Sequence, residues 1–265
     1  DAIIKKIIKL SDVGPDDCVL EVGPGIGTLT VALLKHAGSV ISVERDKDLP
    51  SVLAKTCAPW GDAFTLLCKD ALDLQVLDFE GKAPSRFVSN LPYAVAATLI
   101  LDYFERFESI QSATVMVQKE VADRIMAKVS SKDYGAYTVK LGMYAKPQGR
   151  FAVSAGNFYP PPRVESAVVR LDRETPCNAS GDPLEQRLVE LTCRMADAAF
   201  ATRRKTISNS FKTYLSGAQG PISELTGRTG ELFERASIDP RRRGETLSHE
   251  EFIALGMAAD AMMQA

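Results

Sequence analysis

Asn90-Leu-Pro-Tyr93 brings an amide, a proline and a phenol together within four positions. An amide oxygen and a neighbouring backbone carbonyl can accept hydrogen bonds from an exocyclic amine, and a phenol ring can stack on the flat face of a base. Asn90, Leu91, Pro92 and Tyr93 therefore form a candidate catalytic set for work on the amino group of a nucleobase. Asn and Pro are also ordinary turn residues, so the tetrapeptide by itself reads equally well as a plain strand exit.

The surrounding elements favour the chemical reading. Phe87 and Val88 predict a buried strand that stops at Asn90, because Pro92 cannot donate to a sheet ladder. Upstream, Cys18–Val22 reads as a strand that breaks into Gly23-Pro-Gly-Ile-Gly27 and continues as a helix over 28–34, the first unit of a doubly wound sheet. Thr28 stands where a dinucleotide fingerprint wants its third glycine, which counts against a nicotinamide cofactor. The next strand, 40–43, ends in Glu44, twenty-one residues after Gly23, where a carboxylate accepts both hydroxyls of an adenosine ribose. A third strand, 64–67, leads into Lys69-Asp70-Ala71. Glu21, Glu44, Asp70 and Asn90 are thus expected along one rim at the carboxyl ends of four successive strands, where ligands of open parallel sheets collect. With Gly23, Gly25, Gly27, Arg45 and Ala71 they make up a candidate site for a nucleoside-containing cofactor.

Further elements are expected as a strand at 113–118, helices around 120–128 and 134–144, and strands at 150–153 and 166–171. Between the last two lies Asn157-Phe-Tyr-Pro-Pro-Pro-Arg163, whose prolines stiffen an extended loop. Phe158 or Tyr159 is there either a second stacking ring or a core aromatic of a rigid connection.

The chain has 265 residues, 45% of them hydrophobic, enough for one sizeable core and a small second unit. No stretch approaches the length of an apolar membrane span, so a cytoplasmic protein is expected. Five separated cysteines without a Cys-x-x-Cys spacing and only two histidines, His36 and His249, point to neither a disulfide framework nor a metal site. Both histidines are expected at the surface. A net charge of −2 provides no overall basic field, but from residue 183 onward six of the eleven basic residues sit in two triplets, Arg203-Arg-Lys205 and Arg241-Arg-Arg243. Such runs are either nucleic-acid contacts or solvated faces.

Taken together, Glu21-Val-Gly-Pro-Gly-Ile-Gly-Thr-Leu-Thr30, Val43-Glu-Arg-Asp-Lys-Asp-Leu49, Lys69-Asp-Ala71, Asn90-Leu-Pro-Tyr93, Gln118-Lys-Glu120, Phe158-Tyr-Pro-Pro-Pro-Arg-Val-Glu-Ser-Ala-Val-Val-Arg-Leu171 and Ala199-Phe-Ala-Thr-Arg-Arg-Lys-Thr-Ile207 closely resemble the KsgA-type small-subunit rRNA adenine N6,N6-dimethyltransferases. The resemblance implies an α/β fold, a doubly wound Rossmann-like class I methyltransferase sheet with a small C-terminal helical domain. It implies S-adenosylmethionine as methyl donor, with Gly23 near its methionine part, Glu44 on the ribose, Asp70 on the adenine, and Asn90 near both donor and target. The implied partner is small-subunit rRNA in an immature ribosomal subunit, met by a monomer through Arg163, Arg203, Arg204 and Lys205. Residues 1–172 are expected to form the methyltransferase domain and 183–265 the RNA-binding one, joined by a linker of turn-forming composition. Family members carry a Gln-Asn-Phe-Leu segment over the cofactor, upstream of the first residue here; a chain lacking it is expected to hold the donor less tightly. Three competing readings are an erythromycin-resistance type methylase of large-subunit rRNA, a non-catalytic RNA-binding or transcription factor of the mitochondrial transcription factor B type, and a nicotinamide oxidoreductase. The Pro160-Pro-Pro162 loop and helical tail favour the small-subunit type.

Overall fold

In the computed structural model, which describes residues 2–158 and 161–264, the chain divides into two compact units. The first comprises residues up to Ala122 together with Ala145–Arg173, and the second comprises Asp123–Tyr144 and everything from Glu174 onward. The sequence predicts 123–144 as part of the first domain; its packing assigns it to the second.

The first unit is built on a seven-stranded sheet in the order β3-β2-β1-β4-β5-β7-β6. Its strands are β1 (Cys18–Val22), β2 (Ser39–Glu44), β3 (Phe64–Cys68), β4 (Arg86–Asn90), β5 (Ser112–Gln118), β6 (Ala145–Val153) and β7 (Ser166–Arg173). The first five pair in parallel, whereas β7 runs antiparallel to both β5 and β6. The central strands read as near-continuous apolar runs because both faces are covered, and Val19, Leu20, Val40, Phe87 and Val115 are completely buried. The helices of this unit are α1 (Ala2–Ser11), α2 (Thr28–Leu34), α3 (Pro50–Thr56), α4 (Ala96–Arg106) and α5 (Lys119–Ile125), which reaches into the second unit. In α1 the isoleucines and Leu10 pack on a core with Val40, Val88 and Val168, and Lys5, Lys6 and Lys9 stay outside.

The second unit holds α6 (Ala136–Gly142), α7 (Gln186–Phe200), α8 (Ile207–Leu215), α9 (Thr229–Arg235) and α10 (His249–Met263). Tyr134 and Val139 explain why 123–144 belongs here: both are buried in one cluster with Phe211, Phe233, Leu247 and Phe252. The Tyr134 hydroxyl donates to the Leu247 carbonyl at 3.0 Å. His249 is half-buried rather than superficial as expected, and a Cβ on Gly142 would lie 2.3 Å from its ring. Glycine at 142 leaves the room that this ring occupies. His36 is exposed. No helix among the described residues is long and apolar enough to cross a membrane.

Candidate active site

The glycine loop begins where β1 ends. Gly23, at φ 67°, donates its N–H to the Val43 carbonyl at 2.9 Å, so the loop is pinned across to β2 in a backbone conformation that suits glycine. Gly27, at φ 90°, starts α2, and a Cβ there would come within 3.1 Å of Thr56 Cγ2. Beneath the loop lies Glu21, only 1% exposed, whose Oε2 accepts hydrogen bonds from Thr30 and Ser42, each at 2.7 Å. Burial pushes its pKa up to about 7 against the opposing effect of those two hydroxyls, and the Glu44 charge adds to the rise. Glu21 therefore does not join the rim on which the sequence reading put it. It ties α2 and β2 to β1 from inside, because its side chain leaves the strand on a face that α2 covers.

Over the ends of β1, β2 and β3 opens a cleft of about 590 Å³, lined among others by Gly23, Glu44, Arg45, Asp70, Ala71 and Pro92. That volume is in the range of small-molecule sites. Glu44 is 8% exposed, and its Oε1 accepts the Asp46 N–H at 2.9 Å. Asp70 caps the single turn that follows β3, accepting the Leu72 N–H at 3.0 Å, and Arg45 Nη1 stands 3.3 Å from its other oxygen. The Leu72 N–H and then the Arg45 guanidinium hold the Asp70 carboxyl below the usual carboxylate range. Two carboxylates spaced along a cleft edge, with a glycine backbone between them and the next strand, fit a nucleoside with a short polar tail. Gly25 and Gly27 shape the loop without lining this cleft.

Asn90 is exposed at the end of β4, and the next amide, Leu91 N–H, donates to the Met116 carbonyl of β5 at 3.1 Å, which fixes where the strand stops. The Pro92 carbonyl accepts the Val95 N–H at 3.2 Å as the chain turns into α4. A Cβ on Gly23 would lie 3.6 Å from Pro92 Cγ, so the glycine loop and the Asn-Leu-Pro-Tyr turn adjoin. The Tyr93 hydroxyl lies 2.6 Å from Ser166 Oγ on β7. Phe158 is half-buried against the cluster that contains Val153 and Val168, so part of its ring is structural; Tyr159 and Pro160 lie outside the described residues. Arg163 is exposed. Sequence reasoning missed Ser42, Ser89 and Ser166, because a strand serine carries no local sign of the partner it meets.

In the second unit, the Arg203-Arg-Lys205 triplet occupies a turn after α7, not a helix face. Arg203 bonds the Lys132 carbonyl and pairs with Glu245 at 3.4 Å, whereas Arg204 and Lys205 are exposed and have no ion-pair partner among the described residues. In the other triplet, Arg241 forks onto Asp239, and Arg242 bonds both Glu251 and the Thr246 carbonyl, so these two close a loop. Among the described residues no group of three or more His, Cys, Asp or Glu could hold a metal ion.

A family model described as ribosomal RNA adenine dimethylase matches residues 1–254. The chain belongs to this family. It is 38% identical over 270 residues to the ribosomal RNA small subunit methyltransferase A of Bifidobacterium adolescentis, covering 97% of this chain and 84% of that protein. It is 40% identical over 257 residues to the enzyme of the same name from Mycobacterium bovis, covering 95% of this chain and 77% of that one. A dimethyladenosine transferase from Plasmodium falciparum superposes with a TM-score of 0.81 at 24% identity, over 98% of this chain and 96% of that one, which bears on the fold alone. The 23S rRNA methyltransferase ErmE reaches 0.67 at 25% identity, over 98% and 97%. The sheet is thus that of a class I methyltransferase, and the activity is methyl transfer to ribosomal RNA adenine with S-adenosylmethionine as donor, in preference to the competing readings.

Proposed function

We propose that this family member dimethylates N6 of adenines, two adjacent ones near the 3′ end of small-subunit rRNA, and that it acts as a cytoplasmic monomer on immature small subunits. Small-subunit methyltransferases among its relatives support that choice of RNA. The observation that supports the site assignment is that Gly23 and Pro92 line the same cleft, with the exposed Asn90 two residues before Pro92.

In this reading Glu44 holds the ribose hydroxyls, Asp70 the adenine amine, and the loop backbone at Gly23 the methionine end. Bound S-adenosylmethionine supplies an electrophilic methyl group on a sulfonium. Adenine N6 is a poor nucleophile because its lone pair is delocalised into the ring, so the protein's task is to hold it in line and pyramidal. Asn90 Oδ1 and one backbone carbonyl accept the two amine hydrogens. Because the Pro92 carbonyl already accepts from Val95, Leu91 is the better candidate for that second acceptor. Tyr93, and the free part of Phe158, stack on the base. The proton released from N6 passes to water, and no residue need act as a general acid. The exposed Arg163, Arg204 and Lys205 meet RNA phosphates.

Single-turnover methylation of small subunits with saturating labelled donor tests the Asn90 role. Asn90→Ala should raise the barrier by roughly 2–4 kcal/mol, the scale of one positioned polar contact. Asn90→Asp should bind the cationic donor at least as well yet react slowly, since its charge stabilises the ground state more than the transition state. Parent-rate transfer by Asn90→Ala would remove Asn90 from the mechanism.

A further inference from the structure

The Tyr93 phenol comes off the turn after β4, yet its hydroxyl sits 2.6 Å from Ser166 Oγ, two strands away in the sheet. Ser166 is 1% exposed, and as the first residue of β7 it pairs with Gln118 of β5 on one side and Val153 of β6 on the other. A serine whose backbone is held in two ladders and whose side chain is buried offers a firm anchor for a side chain on a turn. Tyr93 itself is only half-buried, and the turn that carries it includes the exposed residues Pro92 and Ala94. Without a tether the ring would sample other χ1 rotamers.

We propose that Ser166 is a positioning residue for methyl transfer, acting through Tyr93; this rests on the stacking role given to Tyr93 above. Because Oη lies on the axis of ring rotation, the hydrogen bond fixes the line from Cβ to Oη and hence χ1. The phenolic O–H also prefers the ring plane, which biases the tilt of the ring presented to the base. Ser166 touches no reacting atom. Its contribution is to hold the ring in place before the base arrives, which reduces the entropy lost on productive binding.

A double-mutant cycle tests this on the full chain with small subunits and labelled donor. Ser166→Ala and Tyr93→Phe each delete one hydroxyl and keep the ring. Each should slow single-turnover transfer at saturating RNA and donor by roughly tenfold, the size of one neutral hydrogen bond. The double variant should be no slower than either single one, and donor affinity should stay at the parent value. A merely structural Ser166 would instead lower the melting temperature while leaving the saturated rate intact. Parent-rate turnover by Ser166→Ala, or losses that multiply in the double variant, would overturn the proposal. Tyr93→Ala separates the two readings: if it transfers at the parent rate, the stacking role itself fails, whereas a slow Tyr93→Ala beside an unaffected Ser166→Ala removes only the tether.

Discussion

Ser89 Oγ donates to the Val22 carbonyl at 2.5 Å and accepts the Val22 N–H at 3.3 Å, joining β4 to β1 by a side chain one residue before Gly23 and one before Asn90. The backbone register between these strands extends only through Val19↔Arg86 and Leu20↔Phe87, whereas β1 and β2 stay in register over five pairs. The two strands part towards their carboxyl ends, and the serine satisfies the backbone groups that the parting exposes. This is where strand order reverses direction in an open sheet and where ligands enter. Ser89→Ala should leave a buried N–H and carbonyl unmatched, costing about 1–3 kcal/mol in chemical denaturation, and should weaken donor binding as well. An unchanged denaturation midpoint would show that water or backbone movement replaces the hydroxyl.

Glu44 is nearly buried and uses one oxygen on the Asp46 amide, which leaves its other oxygen available to the cleft. Glu44→Ala should weaken S-adenosylmethionine binding by about 2–4 kcal/mol through loss of charge-assisted ribose contacts. Isothermal calorimetry decides it, and parent affinity would remove the ribose role.

Glu21 makes stability depend on pH. Its folded-state pKa of about 7 lies above the ordinary 4.5, so between these values the folded chain binds more protons than the unfolded one. Stability from this group is complete below the lower value and is lost as pH rises through the upper, with a slope of at most about 1.4 kcal/mol per pH unit. Glu21→Gln should flatten the fall. Urea midpoints measured across that window should converge at the acid end and separate towards neutral pH; parallel curves for the two proteins would show that Glu21 is already charged throughout.

The basic triplet should divide by residue. Arg204→Glu with Lys205→Glu should weaken RNA binding and flatten its salt dependence while the melting temperature stays put, because both side chains are exposed. Arg203→Ala should instead lower the melting temperature, since its guanidinium ties the Lys132 carbonyl and Glu245 together. Filter binding over a salt series, alongside thermal melts, separates the two effects. Equal RNA losses without a thermal shift at Arg203 would return it to the contact surface.

The sequence by itself determined the parts whose signal is local. Apolar runs marked six of the seven strands closely, since strands covered by helices are built mainly of apolar side chains. The glycine loop at 23–27, the carboxylates Glu44 and Asp70 at strand ends, and Asn90 at the end of the fourth strand follow from chain order, because a parallel sheet puts every such end on one edge. The sixth strand was legible only from Arg150, because Lys146, Gln148 and Gly149 give its first half a polar character that an edge strand tolerates. Tertiary structure alone decided matters of direction and partner. Glu21 alternates inward from its strand and meets α2, so an acid that looked like part of the rim became an internal brace. Residues 123–144 joined the helical unit because Tyr134 finds Leu247, and His249 packs on Gly142, more than a hundred positions away. Ser89 and Ser166 could not be singled out in advance: whether a strand serine is idle or bridges two chain segments depends on a hydroxyl's reach of about 3 Å, and only the packed sheet sets that distance.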